Sequence, residues 1–189
     1  MMFRAVLDTC VLFKPLLCDT LLSIAEEGVY QPLWSVDIME ELRRNLLAYG
    51  LAEAPVERRV GEMMEHFPGS TLDGYQQLIP AMTNHLKDRH VLAAAVHGSA
   101  ELVVTENVRD FPRHALKPHD IDVSNQDEFL LDQLDLAPRR VHCALTRQTS
   151  RYRRAPRTVD DLLIALGRAG HGCPGFARRC HALFAGGAT

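Results

Sequence analysis

Four acidic side chains sit at positions where their neighbours give them something to do: Asp8, Glu41, Asp88 and Asp110. Asp8 closes a short apolar run, Phe3 to Leu7. Glu41 lies beside the stripe Ile38, Leu42, Leu46. Asp88 opens an alanine-rich stretch, and Asp110 follows the apolar run Glu101 to Val104. Carboxylates that converge without histidine or cysteine partners make a hard oxygen site, suited to Mg²⁺ or Mn²⁺ rather than to zinc or copper. A cation held this way offsets the repulsion among the acids, activates water and neutralises charge building on a phosphoryl oxygen. The natural reaction is hydrolysis of a phosphodiester with no covalent enzyme intermediate. The separations of 33, 47 and 22 residues between these acids allow convergence without requiring it.

The elements that must position the acids follow from the pattern around them. Phe3 to Leu7 reads as a buried strand, and an acid at the carboxyl end of a central strand is where open α/β sheets place ligand groups. Thr9 then leads into a helical stretch that Pro15 divides in two and the Gly28 region ends. Asp8 also has a bland role open to it, as cap of that helix. Gln31 to Trp34 is a second strand candidate, and Ser35 reads as the N-cap of a helix carrying Ile38, Leu42 and Leu46. At about 100° per residue, Glu41 faces the edge of that stripe while Glu40 turns to the surface. Ala54 to Phe67 is a further helix, and residues 69–87 hold a short strand and a loop.

Asp88 begins a helix with Val91, Leu92 and Ala95 on one side, where the partial positive charge of a helix start favours an ionised carboxylate. Glu101 to Val104 reads as a parallel strand, Ile121 to Val123 as an edge strand, and helices alone follow from Asp127, broken near Pro138, Pro156 and Gly170–Gly175. Strands alternating with helices and then helices alone predict an α/β fold with a central parallel β-sheet and a C-terminal helical extension. The boundary falls near residue 125, giving 1–125 and 126–189.

Composition is that of an ordinary globular chain, 47% apolar and 24% charged. No apolar run is long enough to span a bilayer, and the N-terminus lacks the pattern of a signal peptide, so the cytoplasm is the default. Five scattered cysteines, an odd number, point to reduced thiols. The net charge of −3 is unevenly spread: residues 139–157 hold seven arginines and no acid, leaving −10 elsewhere by difference. Such a basic stripe is the pattern of a polyanion contact or of a solvated helix face, and Arg139, Arg140, Arg151, Arg153 and Arg154 are the candidate RNA contacts within it. Tyr152 among them could stack on a base. His171, Cys173, Cys180 and His181 do not have the spacing of a zinc module. Trp34 reads as core, and His90 as a structural neighbour of Asp88 rather than a proton shuttle.

The four acidic segments, taken in order, resemble the PIN-domain family, and within it the VapC-type toxins of bacterial toxin–antitoxin pairs. The matching stretches are Val6-Leu7-Asp8-Thr9, Ser35 to Leu42, Asp88 to Ala95 and Leu102 to Pro112, within roughly residues 2–125. The tail after Asp127 looks like an extension found in a subset of these toxins. The resemblance implies a PIN-like three-layer sandwich and a Mg²⁺- or Mn²⁺-dependent endoribonuclease. Asp8, Glu41, Asp88 and Asp110 fall at its acidic positions, with Thr9, Thr105 and Asn107 supporting them. It also implies a homodimer, an RNA substrate and a small antitoxin partner. Asn107 stands where many members carry aspartate, which makes Asp110 the expected fourth acid. The loop Asn84-His85-Leu86-Lys87 departs from the Asp-Pro pair common in relatives. Two other readings stand beside this one. A phosphatase of the haloacid-dehalogenase type would use Asp8 as nucleophile, but it wants a second aspartate where Cys10 stands. A non-catalytic RNA-binding module would need no metal.

Overall fold

The structure is a computed structural model, and it describes residues 2–185. Strands β1 (Arg4–Leu7), β2 (Gln31–Ser35), β3 (Thr71–Leu72), β4 (Leu102–Val104) and β5 (Asp122–Ser124) form a five-stranded sheet in the order β3-β2-β1-β4-β5. Every pairing is parallel. This is the expected parallel α/β sandwich, followed by the expected helices. The sheet turns in opposite directions from β1, toward β2 on one side and β4 on the other. The crevice at the carboxyl ends of β1 and β4 is therefore a topological switch point.

Local chemistry explains the strands. Ala5, Val6 and Leu7 of β1 are fully buried, as a central parallel strand requires. Pro32 lies within β2 opposite Ala5. Proline is tolerated there because β3 pairs only with Trp34 and Ser35, which leaves the outer side of Pro32 without a ladder partner. The edge strand begins one residue later than the sequence suggested, and Val104 aligns with Ser124.

The helices are α1 (Thr9–Phe13), α2 (Pro15–Glu26), α3 (Val36–Ala48), α4 (Glu53–His66), α5 (Arg89–His97), α6 (Arg113–Leu116), α7 (Gln126–Leu136), α8 (Pro138–Arg151), α9 (Val159–Leu166) and α10 (Pro174–Ala185). Ser35 ends β2 and caps α3 at once, its Oγ accepting from the Ile38 amide at 3.1 Å. No loop separates strand from helix, so the sheet fixes the helix that carries Glu41. Ala93, Ala94 and Ala95 of α5 are fully buried. At Gly98, just past α5, a Cβ would lie 2.6 Å from Leu72 Cδ1, so glycine permits the close packing there.

Contacts group the chain into two units: residues 3–13 with 31–124, and residues 14–30 with those from 125 onward. The sheet, α1 and α3–α6 belong to the first. A boundary at 125 would place α2 with the sheet, but α2 packs on α8. Thr20 Oγ1 donates to Gln148 Oε1 at 3.0 Å, and Tyr30 meets Phe129 edge to face at 4.9 Å. Asp127 of α7 receives the amides of Gly175 and Phe176 at 2.9 and 2.7 Å, satisfying the start of α10. None of the five cysteines is in a disulfide. No described helix is long and apolar enough to cross a membrane.

Candidate metal centre

Asp8 leaves β1 and Thr105 leaves β4, side by side, with the Asp8 amide donating to the Val104 carbonyl at 3.0 Å. Asp8 is 5% exposed. Its Oδ1 accepts from the Thr9 amide at 2.7 Å, and its Oδ2 accepts from the Thr105 hydroxyl at 2.6 Å and the Cys10 thiol at 3.3 Å. The supports are themselves supported. The Asn107 amide donates to Thr105 Oγ1 at 3.1 Å, and the Glu106 amide to Cys10 Sγ at 3.2 Å. Burial, and then the Asp8 charge, push the Cys10 thiol up to about 12, so it stays protonated and remains a donor. The second aspartate that a phosphatase of the rival type would need is here a neutral thiol.

Thr9 links two of the acids. Its amide binds Asp8, and its hydroxyl lies 3.1 Å from Glu41 Oε2. Glu41 also lies 3.9 Å from His90 Nε2, while Glu40 is exposed. The other His90 nitrogen, Nδ1, is buried without a hydrogen-bond partner among the described residues.

Asp88 occupies the cap position of α5 yet makes no side-chain capping bond, so its carboxylate is left for other work. Burial raises its pKa first, and the charges of Asp8 and Asp110 raise it further, against a smaller opposing pull from His85 and His90. Asp88 is thus within electrostatic reach of both Asp8 and Asp110. Asp110 reaches the cluster from a 3-10 turn, Val108–Asp110, whose last amide donates to the Asn107 carbonyl at 2.8 Å.

Among the described residues, one group of side chains is grouped tightly enough to hold a metal ion: His85, Asp88 and Asp110, with one ligand atom from each within 4.8 Å of the others. Ligands on opposite sides of an octahedral Mg²⁺ are about 4.2 Å apart, so a small contraction would close this set on a cation. The donors fit the ion chemically as well: burial and the neighbouring charges of Asp8 and Asp110 raise the pKa of Asp88, a cost that a divalent charge would relieve. Asp8 is joined to this group by the charge it exerts on Asp88, and Glu41 is linked to Asp8 through Thr9. Asn107 contributes through its backbone, and its exposed side chain makes no hydrogen bond among the described residues.

The sequence reading missed His85. A signal existed, since His85 and Asp88 are three residues apart in a 3-10 turn, where such side chains eclipse. The arginine stripe also differs from expectation. Arg151 pairs with Asp19 at 3.0 Å and Glu26 at 3.2 Å, Arg147 with Glu27 at 2.8 Å, and Arg140 donates to the Gly28 carbonyl at 3.1 Å. Arg140 and Arg151 are therefore committed to the fold, as is Tyr152, whose hydroxyl donates to Asp19 and accepts from Gln148. Arg139, Arg153 and Arg154 are exposed and make no ion pair among the described residues. Cys173 and Cys180 are buried and His181 pairs with Asp160 at 3.1 Å, so these residues form no metal group.

Comparison with known proteins gives three findings. A family model described as "PIN domain" matches residues 4–109, more than half of the chain, and one described as "VapC50 C-terminal domain" matches residues 126–182. A Mycobacterium tuberculosis protein named "Putative ribonuclease VapC50" is 46% identical over 114 residues, which is 60% of this chain and 66% of that protein, just under two thirds of its length. No solved structure matches significantly. With Asp8, Asp88 and Asp110 gathered where β1 and β4 end, and the family match running from β1 through those two strands, the chain belongs to the PIN-domain family.

Proposed function

We propose that this protein is a divalent-metal-dependent endoribonuclease, the toxin of a toxin–antitoxin pair. One observation supports the reading: Asp88 feels the charges of both Asp8, at the end of the strand where the sheet switches direction, and Asp110, and with burial they raise its pKa. The name of the mycobacterial relative supports the RNA substrate. Asp8, Asp88 and Asp110 would hold Mg²⁺ or Mn²⁺, with Glu41 beside them. When bound, the ion supplies Lewis-acid activation of water and neutralises phosphoryl charge.

The chain's own residues do the rest. Thr105, Cys10 and the Thr9 amide fix the Asp8 carboxylate in one orientation. Thr9 and His90 hold Glu41. Arg139, Arg153 and Arg154 bind RNA phosphates. A small antitoxin silences the enzyme by covering the acids, and the active form is a homodimer acting in the cytoplasm; the resemblance to VapC-type toxins supports both.

The test is cleavage of total RNA by the purified protein. Cleavage should appear with Mn²⁺ or Mg²⁺ and vanish with EDTA. RNA binding without cleavage under any metal would favour the non-catalytic module instead. Replacing Arg139, Arg153 and Arg154 together by alanine should weaken RNA binding. The slope of log affinity against log salt should become shallower by about 0.7 for each phosphate that the variant no longer neutralises. An unchanged slope would remove the stripe from the RNA interface.

A further inference from the structure

We propose that His85 is a nitrogen ligand of the metal centre, with Asp88 and Asp110 as its oxygen partners, and that it tilts the site from Mg²⁺ toward Mn²⁺. The proposal rests on the carboxylate–metal reading above and adds to it the identity of a donor and a preference among ions.

The backbone holds His85 in place more firmly than its exposure suggests. Its side chain is half exposed, at 50%. Yet its amide donates to the Asp110 carbonyl at 2.9 Å, and its own carbonyl accepts from the Asp88 amide at 2.9 Å. The two other members of the group are thus hydrogen-bonded to the residue that carries the imidazole. His85 Nδ1 stands 3.5 Å from Asp88 Oδ2, longer than a good hydrogen bond. Adjacent ligands on one cation, with bonds of about 2.1 Å at right angles, lie about 3 Å apart. The two side chains are therefore close enough to share one ion after a shift of about half an ångström. Nor does the fold need this ring: among the described residues the imidazole pairs with Asp88 and with no other charged group.

The donor type sets the preference. Three carboxylates already crowd the crevice, and a neutral imidazole adds a ligand without adding repulsion. Mg²⁺ keeps several waters and takes one or two carboxylates, so losing the nitrogen costs it little, a water filling the place. First-row transition cations accept imidazole more readily, and Mn²⁺ is the member of that series that also suits carboxylate oxygens.

The experiment uses the full-length metal-free protein. Mn²⁺ binding is followed by loss of the free-ion electron paramagnetic resonance signal, and Mg²⁺ by its competition with Mn²⁺. Electron spin echo modulation of bound Mn²⁺ reports a nitrogen ligand directly. His85→Ala should weaken Mn²⁺ by about tenfold or more, leave Mg²⁺ within about threefold, and reduce the nitrogen modulation. His85→Gln, which offers an oxygen of similar reach, should keep Mg²⁺ affinity near wild type, leave Mn²⁺ weakened, and lack the nitrogen signature. If His85→Ala leaves Mn²⁺ affinity and modulation unchanged while Asp88→Asn abolishes binding, the nitrogen ligand is wrong and the carboxylate centre stands. If both ions weaken equally, the preference is wrong. If the wild type binds neither ion at millimolar concentration, the metal reading fails and this proposal fails with it.

Discussion

Asp88→Asn will abolish RNA cleavage while making the metal-free protein harder to unfold. The first effect follows from the donor set. Removing one charged ligand withdraws a tether of the ion and part of the field that attracts it. A loss of about 4 kcal/mol at the transition state is about 10³-fold in rate. The second effect has the opposite sign because Asp88 is strained by its surroundings. Burial and the charges of Asp8 and Asp110 raise its pKa, so the folded chain binds a proton there more readily than the unfolded one. The penalty is fully present above the folded-state value and gone below the unfolded-state value. At neutral pH the carboxylate therefore costs stability, and asparagine removes that cost. If the relief is about 1 kcal/mol, the melting temperature rises by roughly 2–4 °C for a chain of this size.

Asp8→Asn should also silence cleavage but lower stability, by about 1–3 kcal/mol. Both Asp8 oxygens accept hydrogen bonds from buried donors, so either orientation of an amide sets its NH₂ against one of them. Thermal unfolding of the two variants without metal, beside an RNA cleavage assay, checks the contrast. Cleavage by both variants at the wild-type rate would dismiss these residues from catalysis, and equal shifts in melting would dismiss the account of their environments.

The second large effect concerns a cut after residue 125. The remaining chain would keep every strand of the sheet and the whole of the PIN-domain match, yet it should not fold normally. Helix α2 stays behind while α8, on which it packs, is removed. Leu17, Leu21 and Ile24 are fully buried in the intact chain. Exposing such side chains costs about 1.5–3 kcal/mol each, and two or three together rival the whole stability of a domain. Size-exclusion chromatography and thermal unfolding should show association, or loss of a cooperative transition. A shortened chain that melts as a monomer at the temperature of the full protein would mean that α2 is stable without α8.

Some of this was legible in residue order. Asp8 stands where a short apolar run becomes a helix and Asp88 where an alanine-rich helix starts, so their types and their positions pointed the same way. Glu41 was separable from Glu40 by helical phase alone, because Ile38, Leu42 and Leu46 mark the buried side. His85 was not legible in the same fashion. It lies in a segment of 3-10 turns, where no apolar period announces a direction. The arginines failed differently: composition reports their charge, but Asp19 and Glu26, the partners of Arg151, are more than a hundred residues away in the chain. The same distance hid the home of α2. Its pattern says which face is buried, while what buries it depends on residues the ribosome adds much later.

That last point bears on how the chain is made. Helix α2 leaves the ribosome early, with an apolar face ready, and its partner α8 ends at Arg151. At 5–20 residues per second the wait is on the order of 10 s. For that time the nascent protein carries an uncovered sticky helix, a natural client for a chaperone. Slow translation anywhere between residues 30 and 151 should lower the yield of soluble protein more than slow translation after it.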